Sequence, residues 1–322
     1  MSDSTASSSG AVHVPVLLTE VLHWLDPQPG QIIVDGTVGA GGHTAHILPR
    51  LAPGGRLIGL DRDPMMLSHA QSVLAATAES DGRYELVHAS YAELRRVLSD
   101  RDIEAVDGVL VDLGLSSDQL AHADRGFGFE SVGLDMRFDT TQGQNAKDLL
   151  NGASANELAD IFYHYGEERF ARRIARRIVE NRPIETAAQL AEIAKRAAAP
   201  GRGRQRIHPA TRVFQALRIA VNDELGALES LLQRELPASL RPGGRAVVIS
   251  FHSLEDRLVK HAFRDGHWEV LTKKPVSASA DEEHSNPRSR SAKLRAARWL
   301  GPDGKTADRR PDERVRGNWR TT

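Results

Sequence analysis

The strongest constraint on the fold is an apolar run that leads directly into a turn rich in glycine, at residues 32–43. Gly39, Gly41 and Gly42 stand in this turn. Because glycine has no Cβ, it adopts positive φ easily and lets the backbone approach a ligand closely. The amides at the start of a following helix would point toward a polar or negatively charged group. The segment therefore predicts a buried strand, a ligand-binding loop and a helix, although a tight strand-to-helix connection would show the same glycines.

An acidic residue at the end of the next predicted strand narrows the choice of ligand. That strand covers residues 56–61 and ends at Asp61, which is placed to accept hydrogen bonds from both hydroxyls of a ribose. The dinucleotide fingerprint is incomplete because Thr44 occupies its third glycine position, and the Gly-Lys-Ser/Thr sequence of a Walker loop is absent. These features favour an adenosine cofactor with an unphosphorylated ribose, such as S-adenosylmethionine, over NAD or NADP.

Five apolar runs predict the strands of a single sheet. They are rich in Val, Ile and Leu and are continuous rather than alternating, which is typical of strands covered on both faces. Segments with helical character, such as residues 64–78, separate the first four runs, so the order is βαβαβαβ and the sheet is mostly parallel. The runs are residues 31–35, 56–61, 84–88, 106–113 and 245–250, and the stretch 268–271 is a further candidate.

The segment from residue 120 to about residue 240 shows no convincing strand, and its apolar residues recur at helical spacing instead. A helical subdomain is therefore predicted between the fourth and fifth strands. The predicted fold class is α/β, with a Rossmann-like, mostly parallel doubly wound sheet and an inserted helical subdomain. One apolar face in the insertion continues in steps of three or four residues over Phe214, Leu217, Val221, Leu225, Leu228 and Leu232.

The net charge of −1 conceals two halves of opposite sign. Residues 1–160 contain 10 Lys and Arg against 23 Asp and Glu, a net charge of −13, whereas residues 161–322 contain 32 against 20, a net charge of +12. This asymmetry indicates that the second half meets a polyanion, because Lys and Arg neutralise phosphates in nucleic-acid binding. The alternative is that the charges are solvated helix faces. In residues 168–178 five arginines surround an apolar stripe, and further basic residues are Arg202, Arg204, Arg206, Arg212, Arg288, Arg290, Lys293 and Arg295.

Polar residues follow several of the predicted strands, and open parallel sheets bind ligands beyond the carboxyl ends of their strands. This rule places Asp35, Asp112 and residues 250–253 around one crevice with the acid of the second strand. Asp112 closes an apolar strand, where an acid would be buried without a partner unless it served a site. Tyr91 could stack on an adenine ring or be an ordinary half-buried tyrosine. Gln119, taken alone, is interpreted as a surface residue.

Long sequence blocks resemble, in content and in order, those of the bacterial 16S rRNA (cytosine-N4) methyltransferase family, known as RsmH or MraW. Coverage runs from about His13 to Arg298. The match is specific because several long and unrelated blocks must coincide. The blocks are HVPVLL (13–18), DGTVGAGGH (35–43), DRDP (61–64), DLGLSSDQL (112–120), RGFGF (125–129), LDMR (134–137), PATRVFQALR (209–218), SFHSLEDR (250–257) and NPRSRSAKLR (286–295).

The resemblance implies a class I methyltransferase domain with a helical insertion, which uses S-adenosylmethionine to methylate a cytosine amino group in the decoding region of 16S rRNA. Tyr91 departs mildly from the family, where phenylalanine is common, but it keeps a ring that can stack. Asp112 is the candidate for holding or polarising the acceptor amine, although residues 113–115 do not match the Pro-Pro-aromatic block of N4-type DNA methyltransferases. The implied cofactor contacts are Gly41, Gly42, His43, Asp61, Tyr91, Asp112 and Gln119, with Asp35 and Gly39 beside them.

Residues on the far rim of the crevice are predicted to meet the RNA. His252 could hydrogen-bond the target base or a phosphate, or be a structural histidine, and Phe251 could stack on a flipped base or belong to the core. No metal is expected, because the histidines lack paired ligand spacing and the transfer requires none. The candidate substrate residues are Arg212, Ser250, His252, Arg290 and Lys293.

The chain contains no cysteine, which excludes a disulfide framework, and no apolar run reaches the roughly 18 residues of a membrane span. We expect a cytoplasmic enzyme whose partner is 16S rRNA or the small ribosomal subunit, and the sequence leaves the oligomeric state open. Two rival interpretations are a methyltransferase of small molecules or proteins, and an RNA-binding assembly factor without turnover. The expected domains are a disordered tail at 1–11, a methyltransferase domain at 12–120 and 241–300, an RNA-recognition insertion at 121–240 and a flexible tail at 301–322.

Overall fold

The structure is a computed structural model that describes residues 15–77, 83–197, 208 and 210–304. The strands in these ranges form one sheet in the order β3-β2-β1-β4-β5-β7-β6. All run parallel except β7, which lies antiparallel between β5 and β6. The expected mostly parallel, doubly wound sheet is confirmed. The strands are β1 (Ile32–Asp35), β2 (Arg56–Asp61), β3 (Arg83–His88), β4 (Val106–Asp112), β5 (Leu240–Ser250), β6 (Trp268–Val270) and β7 (Lys293–Trp299).

Helices cover both faces of the sheet and form the insertion. They are α1 (Leu18–Leu25), α2 (Gly42–Leu51), α3 (Pro64–Thr77), α4 (Leu94–Ser99), α5 (Ser117–Ala121), α6 (Ala146–Gly152), α7 (Ala155–His164), α8 (Ala171–Glu180), α9 (Ala187–Ala197), α10 (Thr211–Asn222), α11 (Glu224–Ser230), α12 (Leu236–Ser239), α13 (Ser253–Ala262) and α14 (Ala280–Ser285). A π-helical turn, Leu231–Glu235, joins α11 to α12, and short 3₁₀ turns lie at Tyr91–Glu93, Ala123–Arg125 and Pro287–Ser291.

Successive strand residues point into two separate cores, one on each face of the sheet. Ile33 and Leu110 face the core that α1 and α2 cover. Val34 and Val109 face the other core, which α4, α11, α12 and α13 cover. Burying each such side chain contributes about 1.5–3 kcal/mol, so the two cores hold the strand ends in a fixed arrangement.

The strand predicted at residues 245–250 is confirmed as part of β5, but β5 starts earlier than expected and one strand, β7, was missed. β5 begins at Leu240 rather than at residue 245, because Leu240 pairs with Val106 and residues 241–244 bulge out before the register resumes. β7 was not expected, since its first residues were assigned to a basic RNA surface. Arg295 is in fact 7% exposed, and its Nε donates to Asp256 at 2.7 Å, so it forms a structural ion pair between β7 and α13.

The insertion has its own core, which bears on where the insertion ends. Phe214 and Leu217 of α10 belong to that core, which helices α6 to α10 form. The helix stops at Asn222 because Asp223 has a left-handed φ of 48°. Leu228 and Leu232 then pack against the sheet instead. The predicted continuous apolar face is therefore split between two cores, and we propose that the insertion ends near Asn222 rather than at residue 240.

Several expectations concern residues outside the described part of the chain. These are the tail at 1–11, the tail at 301–322 from residue 305 onward, and Arg202, Arg204 and Arg206. Within the described ranges, no helix has the length and apolar composition needed to cross a membrane.

Candidate active site

The glycine-rich loop after β1 is shaped by its own hydrogen bonds and by an acid beneath it. Gly39 and Gly41 have φ values of 53° and 88°, a region that favours glycine. Asp35 is 1% exposed and accepts hydrogen bonds from the Thr37 N–H at 3.2 Å and from the Thr44 hydroxyl at 2.7 Å. Burial raises the pKa of Asp35, and these hydrogen bonds oppose the increase. Asp35 therefore supports the loop from below and is absent from the lining of the crevice, around which its position at a strand end had placed it.

A crevice opens above the loop at the carboxyl edge of the sheet, where the strand order predicts ligand binding. It brings together residues from eight separate segments of the chain. Of the expected cofactor residues, its lining includes Gly39, Gly42, His43, Asp61, Tyr91, Asp112 and Gln119. Gly41 is not in this lining, because it is the N-cap of α2. A Cβ on Gly41 would lie only 3.4 Å from the Cα of Ala70, so the loop packs closely against α3.

Asp61 at the end of β2 is prepared for a ligand with hydroxyl groups. Its Oδ2 accepts the Gly39 N–H at 2.9 Å, and its Oδ1 accepts the Asp63 N–H at 2.9 Å. Burial raises the pKa of Asp61 to about 6, although both hydrogen bonds lower it. A carboxylate accepts about four hydrogen bonds, so two acceptor positions remain for the two hydroxyls of a ribose.

Asp112 at the end of β4 has one oxygen fixed and one available. Its backbone N–H donates to Thr37 Oγ1 at 2.6 Å, and its Oδ1 accepts the Gly114 N–H at 3.1 Å. Its Oδ2 lies 3.9 Å from Nδ1 of His43, whose Nε2 donates to the Val16 carbonyl at 2.9 Å. Among the described residues Oδ2 has no hydrogen-bond donor, and the side chain is 17% exposed to the crevice. This oxygen is free to accept a hydrogen bond from a bound substrate.

Gln119 is buried rather than on the surface, as it had been interpreted in isolation. Its Nε2 donates to Asp63 at 2.9 Å, and its Oε1 accepts the Ser116 N–H at 3.0 Å in a capping box for α5. Arg125 also donates to Asp63, at 2.8 Å. The amide of Gln119 thus fixes the loop after β4 against the loop after β2.

The rim beyond Asp112 contains both structural and exposed residues. Ser250 is 1% exposed and donates to the Lys293 carbonyl at 3.3 Å, so its hydroxyl does not reach the crevice. A Cβ on Gly114 would lie 2.7 Å from the Phe251 ring, which is too close for a residue with a side chain and explains the glycine at that position. His252 is the N-cap of α13, and its Nδ1 accepts the Glu255 N–H at 3.4 Å. The expected substrate roles of Ser250 and His252 are therefore not supported by their positions.

The basic candidates for RNA contact are spread over a wider surface. Arg212 is 45% exposed, 4.0 Å from Glu168, and Lys293 Nζ lies 3.8 Å from Asp256. Arg290 is exposed. Arg288, which the sequence had included only as general positive charge, lines the crevice and donates to Ser117 Oγ at 3.1 Å and to the Leu115 carbonyl.

The insertion also contributes to the crevice through residues that were not anticipated. Phe138 lines it, and its N–H donates to Asn222 Oδ1 at 2.7 Å. Arg62, next to Asp61, donates to the Asn222 carbonyl at 2.7 Å. Glu224, the first residue of α11, is a further part of the lining. No local pattern marks these residues, because their proximity to the crevice depends on contacts between distant segments.

The sheet order with an antiparallel β7 between β5 and β6, and the glycine loop followed by Asp61, define a class I S-adenosylmethionine-dependent methyltransferase. Residues 10–300 match the model of the MraW methylase family, so the chain belongs to this family. The resemblance drawn from the sequence blocks is thereby confirmed, and the cofactor is S-adenosylmethionine.

Relatives with high identity cover most of the chain. The Ribosomal RNA small subunit methyltransferase H of Syntrophotalea carbinolica is 50% identical, and the match covers 89% of this chain and 98% of that protein. The protein of the same name from a Cyanothece species is 53% identical, with coverages of 90% and 95%. Among solved structures, NSun6 from Pyrococcus horikoshii with SFG is 14% identical, with a TM-score of 0.44 over 89% of this chain and 52% of that one.

Proposed function

We propose that this chain transfers the methyl group of S-adenosylmethionine to the N4 amine of a cytosine in the 16S rRNA of the small ribosomal subunit, in the cytoplasm. The observation that carries the proposal is Oδ2 of Asp112, which receives no hydrogen bond from the described residues and faces the crevice beside the cofactor loop. The names of the relatives support the substrate, since they are small-subunit rRNA methyltransferases.

The proposed cofactor contacts follow from the donors and acceptors in the crevice. The loop from Gly39 to His43 would hold the methionine part, and Asp61 would accept the ribose hydroxyls. Tyr91 is 7% exposed and offers a ring against which the adenine can pack. Gln119 would act by holding the loop after β4 in place. The bound cofactor supplies a methyl group on a positively charged sulfur.

Asp112 has the proposed task of preparing the acceptor amine. The lone pair of a cytosine N4 is delocalised into the ring. The amine is therefore a poor nucleophile unless a neighbouring group accepts one of its protons. Oδ2 of Asp112 would accept an N4–H hydrogen bond, orient the amine and take the proton as the new N–C bond forms. The proton then passes to solvent.

The insertion is the proposed RNA-recognition element. Ile174 and Ile178 of α8 are buried in its core, whereas Arg172 and Arg176 are exposed. Neither arginine forms an ion pair with any residue in the described ranges. Unpaired arginines in one row are suited to consecutive phosphates of an RNA strand.

Cofactor affinity should depend on pH through Asp61. Because ionised Asp61 is the better acceptor for the ribose hydroxyls and its pKa is about 6, the Kd for S-adenosylmethionine should rise as the pH falls from about 7.5 to about 5.5. Isothermal titration calorimetry across this range tests the expectation. D61N should bind about tenfold more weakly at the higher pH and show a flat profile. An unchanged pH slope in D61N would assign the dependence to another group.

The same acid should lower the stability of the cofactor-free protein. Its folded pKa of about 6 lies above the ordinary value of 3.8, so the folded state binds the proton more tightly and stability is lost as the pH rises through this window. D61N removes this titration but keeps only one of the two acceptor oxygens, so the pH dependence of Tm carries the test. The Tm of wild type should fall relative to that of D61N as the pH rises from about 4 to about 7.5. Differential scanning calorimetry without cofactor provides the measurement, and a Tm difference that does not change with pH would contradict the assignment.

The experiment that tests the function is transfer of labelled methyl from S-adenosylmethionine to unmodified small ribosomal subunits, followed by digestion to nucleosides. Appearance of N4-methylcytidine supports both the donor and the acceptor atom. A labelled protein or small molecule would support a different methyltransferase activity. Cofactor binding with no labelled product would support a non-catalytic assembly factor.

A further inference from the structure

A cluster of buried ionisable side chains lies where α10 and α11 meet the start of α13. Arg218 and Glu224 form a bidentate ion pair, with Nε–Oε1 and Nη2–Oε2 distances of 2.8 Å and 2.9 Å and side chains 14% and 8% exposed. Glu255 is 1% exposed, and its Oε2 accepts the Phe251 N–H at 2.8 Å. His252 completes the cluster, with Nε2 3.0 Å from Glu255 Oε1. The mechanism proposed above uses none of these groups.

The cluster has the spacing of a metal site, but its ligand atoms already have partners. Ligand atoms of Glu224, His252 and Glu255 lie within 4.8 Å of one another. However, Nδ1 of His252 accepts the Glu255 N–H, and both oxygens of Glu224 accept hydrogen bonds from Arg218. Nε2 of His252 lies 3.0 Å from Glu255 Oε1 but makes no hydrogen bond within the described residues. The guanidinium of Arg218 beside these carboxylates disfavours a second cation there.

Glu224 is the member of the cluster that lines the crevice. It lines the crevice together with Tyr91, and burial followed by the carboxylates of Glu224 and Glu255 raises the pKa of Tyr91 well above its usual range. Each oxygen of Glu224 accepts one hydrogen bond from Arg218, which leaves acceptor capacity on both. The arginine fixes the carboxylate in one orientation. A rigid group that can only accept hydrogen bonds therefore borders a nucleoside-sized crevice.

We propose that Glu224 accepts a hydrogen bond from the exocyclic amine of a nucleobase bound in the crevice, and so selects bases that carry an amine. Two bases in the proposed reaction have this group beside an unprotonated ring nitrogen, namely the adenine of the cofactor and the target cytosine. Hypoxanthine and uracil carry a carbonyl at the same position. The carbonyl oxygen and the carboxylate are both hydrogen-bond acceptors and repel each other, so these bases bind more weakly. The cytosine alternative rests on the function proposed above, whereas the adenine alternative requires only the cofactor.

Two binding experiments distinguish the two bases. In the first, calorimetry compares S-adenosylhomocysteine with S-inosylhomocysteine. In the second, filter binding compares small ribosomal subunits with cytidine or uridine at the target position, both with S-adenosylhomocysteine present. Wild type should prefer the amine by about tenfold in one comparison, and E224A should lose that preference. E229Q is the matched control, since Glu229 lies on the same helix with its carboxylate on the exposed surface, bonded to Gln233 at 3.0 Å.

A second variant guards against loss of folding. E224A leaves Arg218 buried without a partner, whereas the double variant R218M/E224M replaces the whole pair with apolar side chains and avoids an unpaired charge. Loss of the preference in the double variant supports the proposal. Retention of the preference in both comparisons, or its absence from wild type in both, would overturn it. Detection of N4-methylcytidine with wild type separates this outcome from a failure of the proposed function.

Discussion

Replacing Asp112 with Asn should lower kcat for methyl transfer to small ribosomal subunits by about 100-fold or more, because positioned proton acceptors contribute about 10²–10⁴-fold to such steps. Asn preserves the hydrogen bond that Oδ1 accepts from the Gly114 N–H, so the loop should keep its shape. The lost element is the negative charge on Oδ2, which the acceptor amine would otherwise meet. The rate loss should therefore exceed any loss of cofactor affinity.

Single-turnover kinetics with saturating cofactor measures this effect apart from binding. D118N is the matched control, since Asp118 lies in α5 close to the same loop and its side chain is 42% exposed. Titration calorimetry with S-adenosylmethionine reports whether the D112N crevice is intact. If D112N kept both kcat and cofactor Kd near those of wild type, Asp112 would have no role in preparing the amine.

Reversing the charge of Arg172 and Arg176 together should weaken binding to the small subunit by roughly 100-fold at moderate salt, since two phosphate contacts become repulsions. Both side chains are exposed on α8, and Ile174 between them stays buried, so the core of the insertion should be unaffected. The slope of log affinity against log salt concentration should fall by about two. Cofactor affinity should remain at the wild-type value.

Filter binding over a series of salt concentrations provides the measurement. The control is R50E/R264E, which reverses two exposed arginines on the methyltransferase body and makes the same change in net charge. Equal weakening by both double variants would show that total charge, not the α8 surface, determines the affinity. A salt slope unchanged in R172E/R176E would remove the phosphate contacts from the proposal.

The sheet and most of the crevice were predictable because their signals are local. Continuous apolar runs marked β1 to β4, and the polar residue at each strand end marked the crevice, as with Asp61 and Asp112. Asp35 shows the limit of this rule. It also follows a strand, but Thr37 and Thr44 lie close enough in sequence to bind its carboxylate below the loop. Position at the end of a strand does not by itself distinguish a residue that contacts a ligand from one that stabilises the loop.

The remaining features depend on contacts between segments far apart in sequence. Arg288 reaches the crevice because the 3₁₀ turn Pro287–Ser291 packs against the loop after β4. Glu224 reaches it because the chain breaks at Asp223 and turns back toward the sheet. β7 was missed because its basic residues, such as Arg295, suggested a solvent-exposed surface, whereas Asp256 neutralises that charge in the folded protein.

The pairing of β4 with β5 sets an order of events in folding. β4 ends at Asp112 and its neighbour β5 begins at Leu240, and the whole insertion lies between them in the sequence. Closing so long a loop as an unfolded chain is slow and entropically costly, whereas an insertion that has already folded brings its two ends together. We therefore expect the insertion to fold before the sheet closes. The crevice spans the loop after β1, the end of β4 and the start of α11, so we expect cofactor binding during refolding to report the last step of assembly.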